Sequence, residues 1–168
     1  MDLEPLLGVP TSRAAARQWL GQRLVVPSDD VAVLDSSGTR SLAELEPRAD
    51  RVRYVVADCV LWSWPSAHLA QLAGMLEASE RNRRLRLLFL EPTAGLGWRD
   101  RIQQRNPGFW RRRYGHDFRR DIPAELRSHG LTVTTTVRFR EGPVRHYVVG
   151  EARHYRHMDR PGPDSTTE

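Results

Sequence analysis

Few stretches of this 168-residue chain carry side chains able to do chemistry. Asp58 interrupts an apolar run from Tyr54 to Leu61, and Cys59 lies within that run. A carboxylate in such a run needs a partner, and Arg53 or Arg86 is expected to supply it. Asp35-Ser36-Ser37-Gly38 closes a shorter apolar run, and His116-Asp117 stand side by side in a long stretch without hydrophobic period. Phe109-Trp110-Arg111-Arg112-Arg113-Tyr114 and Phe118-Arg119-Arg120 interleave arginine with aromatics. Such interleaving can stack bases and contact phosphates. The preferred reading has the rings packed inward and the arginines solvated. Cys59 is the single cysteine, which excludes an internal disulfide and a cysteine-rich zinc site. His146, His154 and His157 form no metal signature with it.

Those residues must be positioned by a chain of one-domain length, with a hydrophobic content of 39% and a charged content of 28%. Both are ordinary globular values. The net charge is +5, yet all 26 basic residues are arginine and lysine is absent. Replacement across the whole chain points to coding bias rather than to one binding face, so nucleic acid is not the expected partner. The start, MDLEPLLGVP, lacks the basic and apolar regions of a secretory signal. No apolar stretch approaches the roughly 20 residues of a membrane span. A cytoplasmic location is expected.

Thr11-Ser12 offer an N-cap to a helix running through Ala14, Trp19 and Leu20 to about Leu24. Val31 to Leu34 reads as a short buried strand, and Ser41 to Glu46 as a brief helix. Val52 to Leu61 is apolar on both faces, as a central parallel strand should be. Ser66 is expected to cap a helix carrying Leu69, Leu72, Ala73 and Leu76. Leu85 to Leu90 is a second buried strand. Thr93 to Phe118 is a long connection, of the kind that often carries function. Asp121 to Ser128 is a helix capped by Asp121 and closed by Gly130. Leu131 to Phe139 and Val144 to Ala152 form a hairpin turning at Glu141-Gly142-Pro143. Residues 1–30 are expected as an N-terminal helical segment, 31–155 as the α/β domain, and 156–168 as a disordered tail.

From about Val52 to Arg153 this order resembles the second half of class I S-adenosylmethionine-dependent methyltransferases. Asp50 and Val55 through Pro65 are similar to that family's fourth strand and its exit. Leu87-Leu88-Phe89-Leu90-Glu91-Pro92 resembles the fifth, an apolar run ending in glutamate. Gln103, Pro107, Trp110, Gly115 and Arg120-Asp121 resemble the segment that follows in the small-molecule subgroup, which includes ubiquinone/menaquinone- and thiol-type enzymes. Leu126, Gly130-Leu131 and Val133 are similar to the entry to the sixth strand, and Gly150-Glu151-Ala152 to the close of the last.

The resemblance implies a Rossmann-like α/β sheet, reduced to about five strands and ending in an antiparallel hairpin. Three full βα units do not fit before Val52. Topology therefore assigns Val31–Asp35 to the family's first strand, since its loss would leave a hole in the sheet. S-adenosylmethionine is then the implied cofactor, with Asp35, Ser37 and Gly38 in the loop of the first strand and Asp58 and Cys59 lining the site. His116 and Asp117 are the implied contacts of a small-molecule acceptor. A sulfonium methyl is already activated, so such a protein mainly aligns the reactants. The loop departs from the family pattern: Ser37 stands where glycine is usual, and no carboxylate for the ribose follows a second strand. Two readings result, a small-molecule methyltransferase and a non-catalytic relative that pairs through an exposed sheet edge with itself or another subunit. An arginine-rich nucleic-acid-binding module is a third.

Overall fold

The computed structural model describes residues 10–24, 27–80, 85–93, 105, 107–114, 119–142 and 145–154. Five strands, β1 (Val31–Val33), β2 (Tyr54–Asp58), β3 (Arg86–Pro92), β4 (Leu131–Glu141) and β5 (Arg145–His154), form one sheet in the order β1-β2-β3-β5-β4. The first three are parallel, while β5 runs antiparallel to both β3 and β4. This is the expected Rossmann-like α/β sheet with its antiparallel hairpin.

Each parallel step moves the same way across the sheet. Right-handed crossovers therefore put both connecting helices, α2 (Gly38–Leu45) and α3 (Ser66–Glu80), on one face. There Leu42, Leu45, Leu69, Leu72 and Leu76 pack on Val55, Ala57, Leu87 and Phe89. Ile122 and Leu126 of α5 (Ile122–Ser128) join the same core. Strand alternation sends Leu88 and Leu90 to the opposite face. Ala16, Trp19 and Leu20 of α1 (Arg13–Arg23) cover them there, with Phe139, Tyr147 and Val149. No helix among the described residues is long and apolar enough to cross a membrane.

Several boundaries differ from the expected ones. Helix α1 starts as expected, with the Ser12 hydroxyl accepting from the Ala15 amide at 3.2 Å. Helix α2 begins three residues before Ser41, at Gly38. Ser66 is the first residue of α3 rather than its cap, because Pro65 supplies the carbonyl that Leu69 bonds at 3.4 Å. Strand β2 is shorter than Val52–Leu61. Cys59 has φ 57°, which turns the chain out of the ladder, and Leu61–Ser63 wind into a 3-10 turn. The aperiodic stretch after Thr93 contains a helix, α4 (Pro107–Tyr114). Asp121 caps α5 as expected, accepting from the Ala124 amide at 3.3 Å.

Candidate functional site

The loops leaving β1 and β2 emerge side by side at one edge of the sheet, because the two strands are parallel neighbours. The first carries Asp35, Ser37 and Gly38, and the second follows Asp58 and begins at Cys59. The indole of Trp64 joins the loops by donating to the Asp35 carbonyl at 3.2 Å.

The first loop is held by its own side chains. The Asp35 carboxylate accepts from the Ser37 amide and the Ser41 hydroxyl, both at 2.7 Å, while the Asp35 amide donates to Ser41 Oγ at 2.9 Å. The bond from Ser41, then that from Ser37, lowers the Asp35 pKa. Gly38 is buried, and its missing side chain is put to use. A Cβ there would lie 2.4 Å from His68 Nδ1 and 3.2 Å from a ring carbon of Trp64. The space at this glycine is filled by His68 of α3 and by Trp64 just before that helix.

The second loop, Cys59 to Trp64, is gripped from both sides. Glu91 is fully buried at the end of β3. Its Oε1 accepts from the amides of Val60 at 3.1 Å and Leu61 at 2.9 Å, and its Oε2 from that of Trp62 at 3.2 Å. Burial pushes the Glu91 carboxyl up to about 8 against the pull of those three amides, with the Asp58 charge adding to the rise. Across the same loop, Arg120 donates to the carbonyls of Trp62 at 2.8 Å and Trp64 at 2.5 Å, and its guanidinium is paired with Glu125. Amides go to an acid and carbonyls to a base, so little of this loop's backbone is left to hold anything else. The Trp62 indole closes it, donating to the Cys59 carbonyl at 2.8 Å.

Asp58 is paired with Arg17 of α1 at 2.6 Å. This corrects the expected partners: Arg53 faces Asp30 and Arg86 faces Glu151. Sequence separation explains the miss, since Arg17 reaches Asp58 across 41 positions. Cys59 packs against the α1-side core. Burial, then the charges of Glu91 and Asp58, raises its thiol pKa far above the ordinary value, which makes it a poor nucleophile. His116 and Asp117 lie outside the described residues. Among the described residues no cluster of three or more His, Cys, Asp or Glu could hold a metal ion. Glu91, Arg120 and His68 shape this edge of the sheet and were not among the expected site residues. The acid ending the apolar run was the available signal for Glu91.

The sequence matches no protein-family model and no curated protein. Among solved structures, LepI in complex with SAM is similar over 83% of this chain, at 9% identity and a TM-score of 0.46. This chain spans 40% of the length of LepI.

Proposed function

We propose that this chain is a methyltransferase-like binding domain that associates with a protein partner and does not transfer methyl groups. Gly38 carries this reading. In the resembled fold a glycine after the first strand lets backbone approach the cofactor, and here that space belongs to His68 and Trp64. The polar groups of the expected site are also engaged: Asp35 with Ser37 and Ser41, Asp58 with Arg17. The residues expected to hold S-adenosylmethionine therefore do not fit it. The parallel strands also advance in one direction, without the reversal of order at which such sheets open a ligand crevice.

A partner reading draws on β1. It lies at the sheet's edge with Val33 73% exposed, one of two large exposed apolar side chains among the described residues. The ladder itself is blunted there, because the Val31 amide bonds Ser28 and the Asp35 amide bonds Ser41. Contact through the Val33 face is favoured over addition of a strand.

Thermal-shift titration with S-adenosylhomocysteine tests the proposal. No saturable stabilisation is expected at millimolar ligand. A saturable shift would return the rival reading, methyl transfer to a small molecule with His116 and Asp117 as its contacts.

A further inference from the structure

Alternation along β2, β4 and β5 sets an acid after the apolar residues of the face beneath α1: Asp58 after Val56, Glu141 after Phe139, and Glu151 after Val149. Helix α1 answers each acid with an arginine. Arg17 reaches Asp58 at 2.6 Å, Arg13 reaches Glu141 at 2.7 Å and Arg23 reaches Glu151 at 4.0 Å. Its buried residues are Ala16, Trp19 and Leu20, and its sequence, RAAARQWLGQR, contains no acid. The seat is thus an apolar strip with acidic lips, and its occupant is a basic amphipathic helix.

What holds α1 there differs from what holds α2 and α3. Those two each link paired strands, whereas α1 precedes β1 and can leave with every strand pairing intact. Among the described residues its main chain bonds the sheet only through the Arg13 amide, which donates to the Glu141 carboxylate at 3.3 Å. The side chains of Arg13, Arg17 and Arg23 are 32%, 56% and 43% exposed, so salt screens their pairs. At 11 residues α1 is also too short to be a stable helix off its seat.

We propose that α1 is a displaceable cover, opening as a unit from an intact sheet, and that a basic amphipathic helix of a partner protein takes its seat. Three carboxylates beside Leu88 and Leu90 repel nucleic acid and anionic lipid. They match a helix that carries arginines around an apolar stripe and lays that stripe into a groove. The proposal rests on the reading that the chain associates with a protein, and not on the Gly38 loop. The S-adenosylhomocysteine titration and the test below therefore fail separately.

Hydrogen exchange on the whole chain tests the opening. The amides of Ala16 to Arg23 should exchange faster than those of β3. Raising sodium chloride from about 0.05 M to about 0.5 M should speed α1 about tenfold and β3 less than about twofold, because the three pairs are screened. Arg13→Gln/Arg17→Gln, which keeps the apolar stripe, should bring α1 at low salt toward its high-salt rate. A labelled peptide of residues 12–24, followed by fluorescence anisotropy, probes the seat. It should bind Trp19→Ala/Leu20→Ala, in which the chain's own helix is unseated, at least about tenfold tighter than the parent. Adding Glu141→Gln/Glu151→Gln should weaken that binding about tenfold. Adding Glu44→Gln, which removes an exposed acid on α2, should leave it within about twofold. Circular dichroism and retained protection of β3 keep each comparison on folded protein. Exchange of α1 and β3 at one common rate in both salts overturns the proposal, as does the lack of saturable peptide binding to the unseated variant. Binding indifferent to Glu141 and Glu151 overturns it too. So does a concentration-dependent dimer of the parent that excludes the peptide, which would give the seat to a second copy.

Discussion

The loops that leave β1 and β2 end neighbouring parallel strands, yet they are held by opposite means. The β1 loop is a surface turn, tied by Asp35 to its own serines and shaped by a glycine against His68. The β2 loop is anchored from distant parts of the chain, by a buried acid on β3 and an arginine before α5. Local ties cost little to rearrange. Long-range ties from a buried carboxyl and a charge-assisted arginine make a loop rigid and intolerant of change. The fold has thus fixed the loop that follows β2 and left the loop that follows β1 to packing.

The largest expected effect comes from Glu91→Ala, which strands three amides and should lower the unfolding free energy by about 3–5 kcal/mol in urea titrations. A loss below about 1 kcal/mol would erase the contrast between the loops. Arg120→Ala should cost about 2–3 kcal/mol by the same measurement, since charge-assisted bonds to the Trp62 and Trp64 carbonyls go with it. Glu91 also sets a pH dependence. Its folded pKa of about 8 lies above the ordinary carboxyl value, so the folded state holds a proton that the unfolded state releases. Its contribution is complete below about pH 4.3 and is lost as pH rises to about 8, by at most about 1.4 kcal/mol per unit. Glu91→Gln should flatten the stability–pH curve across that window. Gly38→Ala should cost about 1–3 kcal/mol by overpacking against His68 and Trp64. Much of that loss should return in Gly38→Ala/His68→Ala, and additivity in this cycle would mean that the two residues do not share the space. Arg17→Ala is the smallest, within about 1 kcal/mol, because its pair with Asp58 is largely solvated.

What could be read from the residues was what local pattern encodes. The apolar runs at Tyr54–Asp58 and Arg86–Pro92 and the Gly142 turn fix strands and hairpin through nearest-neighbour chemistry. Helix α4 escaped because Pro107-Gly108 and a run of arginines carry no apolar stripe. The site was less legible for a different reason. Glu91 meets Val60 across 31 positions, and Arg17 meets Asp58 across 41. No spacing rule reports such a meeting. The left-handed backbone of Cys59 had no glycine to announce it, and it ended β2 three residues early. The resemblance implies a cofactor at Gly38, but sequence shows only that a side chain is missing, not which neighbour fills its place.

The position of β5 between β3 and β4 has a consequence for synthesis. As the chain leaves the ribosome, the parallel strands and even β4 are complete before the strand that joins them exists. Until Arg145–His154 emerges, the β3 edge from Leu87 to Pro92 has no partner, and β4 has no sheet to join. The nascent domain therefore carries an apolar, hydrogen-bonding edge from the completion of β3 until β5 emerges, and its closure waits on the last strand of the sheet. A holding chaperone or a slowly translated stretch would act on that interval, long before any question of what the finished surface binds.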